Sequence, residues 1–364
     1  MKLLFLIPGD VRFTAATPDH APLGGTESCA AWLARHLAAL GHDVTLMTTL
    51  PPGTPRLVAG VRHVSNDDGT GAFFAAEDFE AVIALTSPHN AQALKQAAPR
   101  ALHVAWLHLL GHQPDMAMLH PATPFIDAAV MVSTYQRDAL HFAGPAQVIG
   151  NGIAPAFENL FASADKLRAA KQNRAVYASI PDRGLEWLIA AFREAQVDTR
   201  LDIYSGMRIY QRSDEPLAAL YAAIAATPRA RRFDPVGQTE LAAAMKSAAF
   251  LTYPANQPET YCIVAQEAMA AGLKVIATPM GALRETTRGH ADLMPLDGIT
   301  GAQLPSLFAR RIEANVQDFL ARPDAWAEER FAQAQEASRV GNWRVRAKEW
   351  EAFLGPAISW KRGA

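Results

Sequence analysis

Short runs of consecutive apolar residues alternate with helix-patterned stretches along the whole chain, and near the middle this alternation pauses and starts again. In the first series residues 3–7 read as a strand, and residues 26–40 as a helix stopped by Gly41. Residues 44–48 form the next strand, ended by Pro51-Pro52-Gly53; 79–85, 101–107 and 128–132 continue the series, each followed by a helix. Strands that are apolar throughout, rather than at every second residue, belong to a parallel sheet covered on both faces. A turn signal at Val148-Ile149-Gly150-Asn151-Gly152 breaks the series, and no clean strand pattern returns before about residue 173. Strands at 175–179, 201–205, 249–253 and 274–278 then follow, with helices between them. The fold class predicted is α/β: two Rossmann-like, doubly wound parallel-sheet domains facing each other across a cleft. The expected boundaries are 1–150 for the first domain, 151–172 for a linker and 173–340 for the second. Residues 341–364 are a final helix with Trp343, Ala347, Trp350 and Leu354 at helical spacing. A length of 364 residues, half of them hydrophobic, supplies two cores of ordinary size.

Charge and missing motifs narrow the chemistry. The 34 basic and 36 acidic residues leave a formal charge of −2, which argues against a polyanion clamp and so against a nucleic-acid partner. Cys29 and Cys262 lie far apart without metal or redox spacing, so a reducing, cytoplasmic location is expected. No apolar run approaches the ~18 residues that span a bilayer. There is no GxxxxGK[ST], no GxGxxG after a first strand, no HExxH and no GxSxG. His108 and His112 stand four apart, but Leu109-Leu110-Gly111 between them is a poor helix turn, and no metal site is expected.

Four segments carry readable chemistry. In Pro258-Glu259-Thr260-Tyr261-Cys262-Ile263-Val264-Ala265-Gln266-Glu267, a strand precedes and a helix begins near Tyr261, closing at Gly272. Glu267 falls on the apolar face with Ile263, Val264 and Ala268, where a carboxylate needs donors, and adjacent sugar hydroxyls would supply them. Glu259 lies in the loop before the helix, whose first N–H groups, around Tyr261, Cys262 and Ile263, suit a phosphate. A dipole-stabilising Glu259 and a Glu267 paired with an arginine account for the same spacing. In Pro181-Asp182-Arg183-Gly184, a cation stands at a helix start and calls for an anion, either Asp182 or a bound diphosphate. Pro22-Leu23-Gly24-Gly25-Thr26-Glu27 opens the first long helix with paired glycines, which permit either close ligand approach or a tight turn. His108 follows a strand end, where ligands of open α/β sheets bind and where packing histidines also occur.

Together these residues resemble the retaining glycosyltransferases of family 4, the group-1 glycosyltransferases with the GT-B fold. The E-x7-E spacing of Glu259 and Glu267, the run Glu267-Ala268-Met269-Ala270-Ala271-Gly272, and Val275-Ile276-Ala277-Thr278-Pro279-Met280-Gly281 match that family. Gly24-Gly25-Thr26-Glu27 resembles its GGxE loop, and Ile149-Gly150-Asn151-Gly152-Ile153 its interdomain INGI turn. The resemblance implies a metal-independent hexosyltransferase that moves a sugar, with retention, from a nucleotide-diphosphate donor to a glycan, lipid-linked or small-molecule acceptor. It implies no cofactor, the nucleotide sugar being a co-substrate, and a role in polysaccharide or glycoconjugate biosynthesis. A peripheral contact at the inner membrane face is left open, for which the Pro228-Arg229-Ala230-Arg231-Arg232 cluster is one candidate and a solvated helix end the plainer reading.

The first domain would carry the acceptor side and the second the donor side, and the final helix at 341–364 would pack back on the first domain. Glu267 would bind the ribose, Glu259 the transferred sugar, and Thr260, Tyr261, Cys262 and Ile263 the phosphates. Arg183 resembles the basic residue of the family's KG motif, Gly25 would approach the donor from the opposite domain, and His108 would stand beside sugar and acceptor. His108, Arg183 and Glu259 are thus the expected catalytic residues. The family's further arginine, five residues before that basic residue, is Ala178 here, so either another basic residue, with Arg208 after Gly206 as the candidate, completes the clamp or donor affinity is weak. A same-fold nucleotide-sugar epimerase or phosphorylase, or a nucleotide-sugar-binding protein without transfer, are the alternatives.

Overall fold

The computed structural model describes residues 1–86 and 88–363. The chain divides into two compact units: one holds Met1–Asp19, Leu23–Gly152 and the chain from Trp343 onward, the other His20–Pro22 and Ile153–Asn342.

The first unit is built on an eight-stranded sheet. Its strands are β1 (Lys2–Leu6), β2 (Asp43–Thr48), β3 (Leu57–Val58), β4 (Val61–Ser65), β5 (Ala81–Leu85), β6 (Leu102–Leu107), β7 (Ala128–Met131) and β8 (Ala146–Val148). They lie in the order β3-β4-β2-β1-β5-β6-β7-β8, parallel except for β3 against β4. Strand order reverses between β1 and β5, the switch point of a doubly wound sheet. Every residue of β6 is buried, as the unbroken apolar run requires. The last helix, Trp343–Gly363, belongs to this unit: Trp350 meets Trp106 edge to face at 5.0 Å and Phe5 at 6.4 Å.

The second unit has six parallel strands: β9 (Gln172–Ala178), β10 (Arg200–Tyr204), β11 (Ala230–Phe233), β12 (Ala248–Tyr253), β13 (Lys274–Ala277) and β14 (Asp292–Leu293). Their order is β11-β10-β9-β12-β13-β14, so the switch point lies between β9 and β12. The two strands at that point are the ones that lead directly into Arg183 and Glu259.

Three expectations are corrected. The span expected as a linker, 151–172, is structured: it holds the turn Pro155–Phe157 and the helix Ala164–Ala170, capped by Ser163, with Leu167 buried. Its polar, alanine-rich sequence hides this, because the buried side chains, among them Ile153, Phe157, Ala164 and Leu167, are spaced without strand or long-helix periodicity. The Pro228–Arg232 region is no helix end, since Ala230–Phe233 is an edge strand. Its arginines are spent locally: Arg231 stacks over Phe233 at 4.5 Å, and Arg232 over Tyr221 at 4.1 Å with an ion pair to Asp234. The helix expected from Tyr261 starts two residues later, at Ile263, because Cys262 takes a left-handed conformation at its cap.

Candidate active site

At the switch point of the second unit, β9 ends at Ala178 and the chain turns through Pro181-Asp182-Arg183-Gly184 into the helix Leu185–Glu194. Gly184 caps that helix at φ +83°, and a Cβ there would collide with the carbonyl oxygen of Pro254, the residue after β12. Only glycine lets the turn lie this close to the neighbouring strand end. The consequence is a short path between the two loops. Arg183 Nη1 lies 3.4 Å from Glu259 Oε1, in a pair that is largely buried on both sides.

Glu259 is fixed at its backbone as well as its side chain. It bridges to Gly281, whose φ of +65° and absent Cβ admit the Glu259 carbonyl, and Ala282 N donates to that carbonyl at 2.8 Å. Its Oε1 accepts a hydrogen bond from the Tyr253 hydroxyl at 2.6 Å. Burial, followed by the Glu259 charge, pushes the Tyr253 phenol well above its ordinary range, so the hydroxyl keeps its proton and donates. The Tyr253 ring stacks on Tyr177 at 5.9 Å and 24°, and its hydroxyl lies 3.4 Å from Ser179 Oγ.

Beyond Glu259 the chain passes Thr260 and Tyr261, whose carbonyl accepts from Thr286 Oγ1. Cys262, at φ +69°, then starts the helix Ile263–Ala270. Nitrogens at a helix start have no carbonyl one turn back and carry the positive end of the macrodipole. The helix closes through Gly272 at φ +72°, with Leu273 N bonded to Ala268 O at 2.9 Å. Glu267 lies on its buried face, 3% exposed. Gln238 Nε2 donates to its Oε1 at 2.7 Å, and Ala154 N approaches the same oxygen at 3.5 Å. Burial outweighs these two donors and pushes the carboxyl up to about 8. An arginine partner for Glu267, open from spacing alone, is thereby replaced by an amide.

The remaining candidates lie elsewhere in their units. Gly206 is buried at the end of β10, with Met207 N bonded to Asp214 Oδ1 at 2.6 Å. Arg208 is exposed and paired with Asp234 at 3.0 Å. In the first unit, Gly25 is exposed as the first residue of the helix Gly25–Ala39, with Gly24 at its cap. His108 follows β6 as expected, but it is buried, with its ring 4.7 Å from that of Trp106. Burial pushes it down to about 3, so it is a neutral imidazole at physiological pH. Tyr253 and Gln238 escaped the sequence reading because they touch the carboxylates through sheet pairing and loop closure, and Ser179 because it reaches only the Tyr253 hydroxyl. Gly184 and Gly281 stood inside the quoted motifs, and their left-handed backbone is the signal that could have singled them out.

Residues 174–318 match the family model described as "Glycosyl transferases group 1". No curated protein sequence matches the chain. Among solved structures it is similar to a sucrose-phosphate synthase from Thermosynechococcus elongatus, with a TM-score of 0.73 and 20% identity over 99% of this chain and 100% of that one. A glycosyltransferase from Rickettsia africae has a TM-score of 0.74 at 12% identity, over 98% of each chain. Anabaena HepE in complex with UDP has a TM-score of 0.71 at 17% identity, over 98% of this chain and 100% of that one. At these identities the likeness is one of fold.

Proposed function

We propose, for a chain that carries a group 1 glycosyltransferase domain in a GT-B fold, that it transfers a sugar from a nucleotide-diphosphate donor to an acceptor hydroxyl. The observation that carries this reading is the Arg183–Glu259 pair at the switch point of the second sheet. A cation, a hydroxyl-binding carboxylate and a helix N-terminus meet there, with Glu267 farther along the same helix. Anabaena HepE has been crystallised with UDP and with UDP-glucose, which makes the uridine series the first to test.

In this reading the helix start and Arg183 hold the diphosphate, Glu267 the ribose and Glu259 the transferred sugar. The bond between the anomeric carbon and the diphosphate breaks, and the acceptor oxygen bonds that carbon. The acceptor's proton ends on a phosphate oxygen of the departing nucleotide. Charge grows on that leaving group, where Arg183 and the N–H groups stabilise it. Reaction on the same face, which gives retention, and independence of metal rest on the family resemblance, as do the roles of Gly25 and His108. Arg208, after Gly206, is assigned to the donor as the replacement for the family arginine that is Ala178 here. The acceptor is a glycan, a lipid-linked sugar or a small molecule, reached in the cytoplasm or at the membrane face.

Saturating nucleotide at ~100 times Kd should stabilise the protein by about 2.7 kcal/mol. An absence of any thermal shift with UDP, GDP, ADP and their sugars would sink the proposal. Alanine at position 178 leaves Arg183 as the one cation expected from the motif, and this favours a second reading, a nucleotide-sugar binder without transfer. A thermal shift without product across a broad acceptor panel selects that reading.

A further inference from the structure

Glu259 has two carboxylate oxygens, and the surrounding protein treats them unequally. Both the Tyr253 hydroxyl, at 2.6 Å, and Arg183 Nη1, at 3.4 Å, engage Oε1. Oε2 is therefore the oxygen left to meet a ligand. Tyr253 is well placed to enforce that choice. It is the last residue of β12, 2% exposed, and its ring is held face to face with Tyr177 of the adjacent strand. The Tyr177 hydroxyl donates to Ile180 O at 2.7 Å, and Ser205 Oγ donates to Ser179 O at 2.6 Å. The loop after β9 is thus tied down on either side of the tyrosine pair. A ring clamped in this way keeps its hydroxyl beside Glu259 Oε1, at 2.6 Å, with Ser179 Oγ farther off at 3.4 Å.

We infer that Tyr253 is a positioning residue: it pins Oε1 of Glu259, so that Oε2 is presented to a hydroxyl of the transferred sugar. This rests on the donor reading of the site given above. Tyr253 touches neither nucleotide nor acceptor in this scheme, so its effect passes through Glu259 and is confined to the sugar. The nucleoside diphosphate is held by other groups and does not register the loss.

Tyr253→Phe keeps the ring and its stacking and deletes only the hydroxyl. Calorimetry on the full chain with UDP and with UDP-glucose, or with whichever nucleotide pair binds the unaltered protein, separates the possibilities. The expected result is nucleotide-sugar affinity lowered about tenfold, the scale of a lost hydrogen bond to a charged group. Affinity for the nucleoside diphosphate should stay within about twofold. Adding the substitution to Glu259→Ala should then cause no further loss, because the group through which Tyr253 acts is already gone. Equal weakening of both ligands, or additive losses in the double variant, would mean a general structural role and overturn the inference. Unchanged nucleotide-sugar affinity overturns it too, while leaving the donor reading intact. If the unaltered protein binds no nucleotide or nucleotide sugar, the donor reading falls and this inference falls with it.

Discussion

Glu267 is 3% exposed, bonded to Gln238, and holds its proton up to about pH 8. The unfolded chain releases that proton near the ordinary carboxylate value, so between about pH 4.5 and 8 the native state binds more protons than the unfolded one. This contribution to stability is therefore full below pH ~4.5, falls as pH rises, and levels off above pH ~8, over a span on the order of 5 kcal/mol. Glu267→Gln should remove that slope in denaturant titrations at a series of pH values and leave the protein more stable at pH 8. The ribose role makes a separate statement. Two hydroxyl donors favour the ionised carboxylate, so nucleotide binding at pH 7 should expel a proton, seen as a binding heat that varies with the ionisation heat of the buffer. Cys262 gives a second test at this scale, since a non-glycine residue at φ +69° is held against its preference. Cys262→Gly should change stability by less than ~1 kcal/mol, relief of backbone strain offsetting the lost side chain. Cys262→Val, branched at Cβ, should cost about 2 kcal/mol or more in chemical denaturation.

The turn that carries Arg183 depends on one glycine. With φ at +83° and the Pro254 carbonyl where a Cβ would stand, Gly184→Ala must push the turn off β12. The expected cost is about 3 kcal/mol, and the larger sign is functional: Arg183 retreats from Glu259, and the nucleotide-induced thermal shift shrinks with it. A normal shift in a folded Gly184→Ala protein would show that the close approach does not position Arg183. Motif spacing made Arg183, Glu259 and Glu267 visible, since each lies in a local pattern at a strand end or helix start. Most interior strands were equally legible, because β1, β5, β6, β12, β13 and the second half of β9 are apolar runs that are mostly buried; β4, which mixes polar and apolar residues, is the exception. The edges were not. Leu57–Val58, Ala146–Val148, Ala230–Phe233 and Asp292–Leu293 are two to four residues long and partly exposed, and such a strand has no pattern to display. The site's long-range contacts, Gln238 to Glu267 above all, were hidden for a related reason: sequence spacing carries no record of which loops a sheet brings side by side.

At the scale of the molecule, the first unit borrows its closing element from the far end of the chain. Trp343, Trp350 and Leu354 of the last helix are fully or almost fully buried, and Trp350 lies against Trp106 and Phe5. Trp350→Ala should cost about 3–5 kcal/mol. The loss should be local: hydrogen exchange should speed up in β1 and β6 while β9 and β12 keep their protection, and uniform loss across both sheets would refute that independence. The same threading bears on how the chain is made. Domains ordinarily fold in the order in which they leave the ribosome. Here the nascent chain completes the second unit once residue 342 has emerged, whereas the first, though begun earlier, still lacks the large core side chains of its last helix, Trp343, Trp350, Leu354 and Ile358. The part synthesised first is the part finished last, and until then its apolar face around Phe5 and Trp106 is open to chaperones.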